Sequence, residues 1–209
     1  MTTAAQNRTA APLGRRRARS AYSSGAIALH WLIAALMLTN IGLAWYFGTL
    51  HGEAKVAPLA LHKSIGITVL LLTLIRIGWR LANKPPPLPD HMARWERWAA
   101  RGTHYVFYLL MLGMPLSGWA MVSASPLIRL HPTVLYGVLP WPAVPYGHLD
   151  SDTLHAVRKA MSFTHEKLAW LAYATITLHV AAALKHHLID RDDVLTRMLP
   201  LLPGRRSSR

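Results

Sequence analysis

Two histidines, His165 and His179, lie fourteen positions apart in a run of strong helix formers that extends from Thr164 to His187 and is largely apolar from Leu168 to Leu184. At about 100° per residue, fourteen residues make roughly four turns less about 40°, so both imidazoles share one face of a helix. They are about 21 Å apart along its axis, and the run is long enough to cross a bilayer. One helix would therefore present a nitrogen ligand near each side of a membrane, which suits two stacked cofactors.

The composition indicates a small membrane protein with basic flanks. The chain has 209 residues, of which 52% are hydrophobic and only 15% charged, with a net charge of +14. A soluble basic domain would carry more charge, and the basic residues cluster between apolar runs, which argues against nucleic-acid binding. The chain has no cysteine, which excludes disulfides, iron–sulfur clusters and covalently attached c-type haem.

The hydropathy pattern predicts an all-α membrane protein, a bundle of four transmembrane helices. The spans are expected at about 25–47, 60–82, 103–122 and 164–187, within a domain of residues 25–188. A disordered basic tail (1–24) precedes this domain and a basic tail (189–209) follows it. An amphipathic segment at 91–102 predicts a separate interfacial helix, and a loop at about 123–162 is expected to cover the outer face.

The distribution of cations predicts the orientation. Lysine and arginine cluster in the N-terminal tail, in the 84–101 connection and from Lys185 onward, whereas the other two connections carry few of them. By the positive-inside rule, both termini are then cytoplasmic.

The histidines in the spans form two pairs at matching depths. His30 and His179 lie toward the cytoplasmic side, and His62 and His165 toward the outer side. Two facing imidazoles are what a six-coordinate haem iron requires axially. The same residues could also be interfacial or hydrogen-bonding groups, which is the simpler interpretation for the remaining span-end histidines, His104, His186 and His187. Arg76 could extend to the interface or pair with a haem propionate.

Several segments resemble the bacterial cytochrome b561 family. They are Ser24-Gly-Ala-Ile-Ala-Leu-His-Trp31, Leu61-His-Lys-Ser-Ile-Gly66, Leu74-Ile-Arg-Ile-Gly-Trp-Arg80, His165-Glu166, Leu178-His-Val-Ala-Ala-Ala-Leu-Lys-His-His187 and Asp192-Asp-Val-Leu-Thr-Arg-Met-Leu-Pro200. The resemblance covers about residues 22–200, whereas the arginine-rich N-terminus and parts of the outer loop depart from the family pattern.

The resemblance implies a multi-pass cytochrome of the bacterial inner membrane with two non-covalent haem b groups. His30 and His179 would hold one haem, and His62 and His165 the other, with Arg76 close to a haem edge. Family members exchange electrons with the ubiquinone pool, and some oxidise periplasmic superoxide to oxygen. Membrane lipid, ubiquinone and superoxide are therefore the expected partners.

These expectations lead to a superoxide:ubiquinone oxidoreductase as the first functional hypothesis. Lys63, Arg158 and Lys159 could attract the anion to the outer surface, or they could be ordinary interfacial cations. His104 or a tryptophan could bind the quinone headgroup. An alternative is a haem-bearing anchor subunit that relays electrons for a dehydrogenase, a hydrogenase or a periplasmic cytochrome. A transporter or a structural bundle without haem is disfavoured by the absence of an inverted repeat.

Overall fold

Four long helices make up most of the chain in a computed structural model that describes residues 22–88 and 92–199. They are α1 (Ser24–Gly48), α2 (Val56–Ala82), α3 (Arg94–Ser123) and α4 (Ser151–Lys185). Each is long and apolar enough to cross a membrane. The predicted four-helix membrane bundle is therefore confirmed. Most of the two predicted tails, residues 1–21 and 200–209, lies outside the described residues.

Two helices begin earlier than the hydropathy pattern predicts. Helix α3 begins at Arg94, so the amphipathic segment predicted to be a separate interfacial helix forms its first turns instead. Helix α4 begins at Ser151, inside the predicted outer loop. Its start is fixed by the side chain of Asp150, which accepts a hydrogen bond from the backbone N–H of Thr153 at 2.7 Å. This bond also holds the pKa of the Asp150 carboxyl below its ordinary value.

The helices pack as two neighbouring pairs, α1 along α2 and α3 along α4, which meet where α2 contacts α3. Ile33, Ile65, Val69 and Met111 form the buried apolar centre. Large apolar side chains also remain exposed within every helix: Leu38, Leu74, Leu109 and Leu178. An apolar surface that surrounds a bundle of spanning helices faces lipid.

The two ends of the bundle differ in structure. At the hairpin end, strands β1 (Val134–Leu135) and β2 (Leu139–Pro140) pair antiparallel. Tyr136 and Gly137 turn the chain between them with φ of 52° and 73°. The backbone N–H of Tyr136 donates to Ser64 Oγ at 3.0 Å, and its phenol shares a 2.7 Å hydrogen bond with the hydroxyl of Thr68. The hairpin is thus fixed to α2 close to His62.

The opposite, terminal end is where α1 and α3 begin and α2 and α4 finish. Helix α4 continues there into one π-helical turn, His186–Asp190. Lys185 Nζ forms an ion pair with Glu96 Oε1 at 2.8 Å, which ties the start of α3 to the end of α4. The indole N–H of Trp31 donates to the carbonyl of Met198 at 2.6 Å, which holds the chain beyond α4 against α1.

Candidate functional site

Two pairs of histidine rings face each other across the bundle. The ring centres of His30 and His179 are 6.3 Å apart at an interplanar angle of 64°. Those of His62 and His165 are 6.4 Å apart at 69°. Helix α4 supplies one ring of each pair, and because it is continuous between them, the pairs lie about 21 Å apart along its axis.

These separations fit two imidazoles on opposite sides of one metal ion. A metal–imidazole bond of about 2 Å on each side, plus about 1.1 Å from each nitrogen to its ring centre, places the ring centres roughly 6–6.5 Å apart. Both observed distances, 6.3 and 6.4 Å, lie in this range. The residues present therefore fit a six-coordinate haem iron at each pair.

The hairpin-end pair, His62 and His165, has a fixed tautomer. His62 Nδ1 lies 3.1 Å from the backbone carbonyl of Asn40. His165 Nδ1 lies 3.0 Å from the carbonyl of Met114 and 3.1 Å from Ser117 Oγ. Because a carbonyl oxygen only accepts, both Nδ1 atoms carry the proton and donate it, and both Nε2 lone pairs stay available. This is the arrangement in which histidines bind metals in proteins.

A glycine allows His165 to lie against α3. A Cβ atom at Gly118 would be 3.2 Å from Cε1 and 3.4 Å from Nδ1 of the His165 ring. On the other side of the pair, the Phe47 ring packs edge-on against His62 with centres 5.2 Å apart. Neither Ser117 nor Gly118 was predicted from the sequence. A serine–glycine pair inside an apolar span was the available signal, since such residues let helices approach and hydrogen-bond.

The terminal-end pair, His30 and His179, has the opposite hydrogen bonding. The Arg76 guanidinium donates to His30 Nδ1 at 3.2 Å, so Nδ1 accepts and the proton of the neutral ring lies on Nε2. For Nε2 to bind a metal, this proton would have to leave it and Arg76 would have to release Nδ1. Within residues 22–88 and 92–199, neither ring nitrogen of His179 has a hydrogen-bond partner. Its neighbours are the rings of Phe107, at 5.1 Å between centres, and His104, at 6.5 Å. His104 donates through Nδ1 to the carbonyl of Ala100, so the lone pair of its neutral ring is on Nε2.

A cavity of about 490 Å³ opens beside the terminal-end pair. Its lining includes three cations, Arg76, Arg80 and Lys84, together with His104 and Tyr108. Cations at the edge of a haem site are suited to its propionate carboxylates. Arg76 lines this cavity and also contacts His30, and its pairing with a propionate stays a prediction.

The model of one protein family, prokaryotic cytochrome b561, matches residues 21–201. The chain belongs to this family. Cytochrome b561 homolog 2 of Escherichia coli (strain K12) is 36% identical to it over 180 residues, which cover 82% of this chain and 87% of the relative. The probable superoxide oxidase CybB of Yersinia pestis is 31% identical over 188 residues, covering 88% and 98%. Cytochrome b561 homolog 1 of Escherichia coli is 26% identical over 182 residues, covering 86% and 97%.

Membership in the cytochrome b561 family confirms the resemblance found in the sequence motifs. The protein is a bacterial multi-pass membrane protein of a family that binds b-type haem and transfers electrons. All four paired histidines lie within the matched residues.

The cations predicted to attract an anionic donor to this cytochrome do not form one group. Arg158 and Lys159 are exposed and line a shallow groove on α4 near the hairpin end, together with Glu166. Lys63 is half-buried on α2 and does not line this groove. The roles of all three stay predictions, and the Glu166 carboxylate weakens the positive charge around the other two.

One of the span-end histidines is held by carboxylates. His186 is buried, with Nδ1 2.8 Å from a carboxylate oxygen of Asp192 and 3.1 Å from one of Asp190. His186 is therefore a hydrogen-bonding group, one of the two roles expected for the span-end histidines. The acidic partners come from the π-helical turn and the chain beyond it, whose path the apolar periodicity does not reveal.

Proposed function

We propose that this b561-family protein binds two haem b groups and carries electrons across the bacterial inner membrane from periplasmic superoxide to ubiquinone. The observation that supports it best is the spacing of the two histidine pairs, 6.3 and 6.4 Å between ring centres. A haem bound at each pair supplies a one-electron centre, and α4 holds the two centres on one axis.

In this proposal His30 and His179 would hold the terminal-end haem, and His62 and His165 the hairpin-end haem. With two histidines engaged at each haem, a donor would give up its electron without binding iron. This suits electron transfer rather than oxygen binding or activation. The hydrogen bonds at His62 and His165 hold these two rings in the metal-binding tautomer.

Superoxide is the proposed donor at the hairpin end. A relative 31% identical to this chain is named a probable superoxide oxidase. Arg158 and Lys159 are exposed at this end, where a positive field would raise the local concentration of a small anion. The charge pattern of the sequence predicts that the hairpin end faces the periplasm, which supports this assignment. Two superoxide anions, one ubiquinone and two protons give two molecules of oxygen and one ubiquinol.

Ubiquinone is the proposed acceptor at the terminal end. The cavity beside His30 and His179 offers hydrogen-bond donors and acceptors for a quinone headgroup, His104 and Tyr108 among them. Reduction of the quinone takes up two protons. His186, buried between two carboxylates just beyond the end of α4, is the cluster that we assign to this step.

The decisive experiment is a reduced-minus-oxidised spectrum of the purified protein with a haem count per chain. We expect two b-type haems, of which His30→Ala and His62→Ala each lose one. His155→Ala, which alters an exposed histidine outside both pairs, is the matched control and should retain both. A colourless protein, or full haem content in the first two variants, would contradict the ligand assignment. Reconstituted protein should then reduce ubiquinone when superoxide is generated, and superoxide dismutase should abolish this.

A second candidate is an anchor subunit that relays electrons for a partner protein. The observation that favours it is the tip of the hairpin, where Val138 and Leu139 are 84% and 58% exposed at the end of the bundle. Exposed apolar residues outside the bilayer are typical of docking surfaces. In this case a dehydrogenase or a soluble cytochrome should co-purify with the wild-type chain and be lost from Val138→Asp, while superoxide should leave ubiquinone unreduced.

A further inference from the structure

One face of α3 at the terminal end carries exposed cations and exposed aromatic rings together. Its members are Arg94, Trp98, Arg101 and Tyr105, and all four are exposed. We propose that this arginine–tryptophan face binds the phosphate headgroup of an anionic phospholipid from the adjoining membrane leaflet. The inference concerns how the protein is held in its membrane, and it does not depend on the proposed electron transfer.

The spacing of the four residues places them on one side of α3. Trp98, Arg101 and Tyr105 follow Arg94 by four, seven and eleven residues. At about 100° per residue, all four lie within roughly 60° of one another around the helix. Glu96 lies about 160° from Arg94 around the same helix and forms an ion pair with Lys185 of α4. The arginine–tryptophan face is therefore turned away from α4.

The two arginines of this face are available to an external anion. Within residues 22–88 and 92–199, neither Arg94 nor Arg101 forms an ion pair. The Arg101 guanidinium lies over the Trp98 ring, 5.9 Å from its centre. This contact is electrostatic, so the guanidinium N–H groups remain available to the oxygens of a phosphate. Arg97 does not belong to the face, because it is half-buried and donates to the Met92 carbonyl at 3.0 Å.

The position of the face along α3 favours a lipid over a soluble anion. Trp98 and Tyr105 are 72% and 76% exposed, and such rings are enriched at the headgroup level of a bilayer. The seven residues after Tyr105, 106–112, are uncharged, and all but the tyrosine among them are apolar. Tyr105 is thus about 6 Å closer to the bilayer core than Arg101. Cations at this depth attract anionic lipids, whereas a soluble phosphate would not contact the deeper ring.

The test is native mass spectrometry of the full-length protein in detergent micelles that contain equal amounts of phosphatidylglycerol and phosphatidylcholine. Wild type should retain phosphatidylglycerol in preference to phosphatidylcholine. Arg94→Gln/Arg101→Gln should lower the affinity for phosphatidylglycerol roughly fivefold for each arginine removed. Arg94→Lys/Arg101→Lys keeps both charges and should remain closer to wild type. Arg158→Gln/Lys159→Gln is the matched control, because it removes two exposed cations at the opposite end of the bundle, and it should bind the lipid as wild type does.

Three results would overturn the proposal: equal retention of both lipids by wild type, wild-type affinity in the glutamine variant, or an equal loss in the control. A dimer that disappears in Arg94→Gln/Arg101→Gln would show that a second copy of the chain occupies this face, and it would also overturn the lipid assignment. The melting temperature of each variant shows whether the chain is folded. If the double variant does not fold, the single variant Arg101→Gln decides in its place.

Discussion

The position of His165 against α3 depends on the missing side chain of Gly118. An alanine Cβ there would lie 3.2 Å from Cε1 of the imidazole, inside the optimum of about 3.5–4.0 Å for carbon atoms. The ring must then withdraw from α3 by about 0.3–0.5 Å. Both of its acceptors, the Met114 carbonyl and Ser117 Oγ, are on α3, so the same movement lengthens its hydrogen bonds.

The size of the effect follows from these bonds. They now measure 3.0 and 3.1 Å, and an additional 0.3–0.5 Å would bring them to about 3.3–3.6 Å, where a hydrogen bond contributes little. Losing a net contribution of about 1 kcal/mol corresponds to roughly a fivefold weaker haem affinity at the hairpin-end pair. Gly118→Val adds two methyl groups at the same place, and overpacking of this kind costs about 1–3 kcal/mol more.

The assay is haem transfer from the purified cytochrome to an excess of apomyoglobin, with the haem content per chain measured beside it. Gly118→Ala should lose one of its two haems several-fold faster than wild type, and Gly118→Val faster still. Gly113→Ala is the control, because its Cβ would meet only the flexible Cδ1 of Leu168, also at 3.2 Å, and the gain in helix propensity is common to both alanine variants. Wild-type haem retention in both Gly118 variants would refute the argument that this glycine positions His165.

Two further substitutions test the contacts that hold the ends of the bundle. Gly25→Ala should lower the melting temperature, because its Cβ would lie 2.5–2.9 Å from three atoms of the Trp79 ring. Gly78→Ala is the control and should not lower it, because the Cβ added there meets nothing within 4 Å. Equal melting temperatures for the two variants would contradict this. Ser64→Ala should destabilise the protein by about 1 kcal/mol, because the Tyr136 backbone N–H loses its acceptor. Proteolysis of the hairpin should become faster. An unchanged rate of proteolysis would show that this hydrogen bond does not hold the hairpin.

The hydropathy pattern predicted the number and order of the helices but not where α3 and α4 begin. Apolar run length records the part of a helix that lies in lipid, and both helices extend past that part. Helix α3 starts with Arg94, Trp95 and Glu96, and α4 starts with Ser151, Asp152 and Thr153 after the cap at Asp150. The first residues of these helices are specified by local capping rather than by hydropathy. Predicting them requires identifying capping residues outside the apolar run.

The histidine pairing could be argued from depth alone, because the lengths of the spans constrain which residues can face each other. The pairs suggested by depth are also those whose rings lie 6.3 and 6.4 Å apart. What orients the rings could not be predicted in this way. The acceptors at His62 and His165 include backbone carbonyls, which every residue possesses, so no residue type marks them. The partner of His30 could have been suspected, since Arg76 was expected near a haem edge.

The seam between α1 and α4 suggests that the cofactors also contribute to the fold. Most contacts of α1 are with α2, and only Ile33 among its residues is buried. Its contacts with α4 are made by ring side chains. The Trp45 indole N–H donates to the Tyr173 phenol at 3.2 Å, and the His30 ring faces that of His179. Helices in lipid gain no hydrophobic energy from contact with each other, so such a seam needs atoms that fill it. A macrocycle held between two rings supplies them, and its binding free energy is then also stability of the bundle. Loss of a ligand histidine should therefore loosen the seam as well as remove an electron carrier.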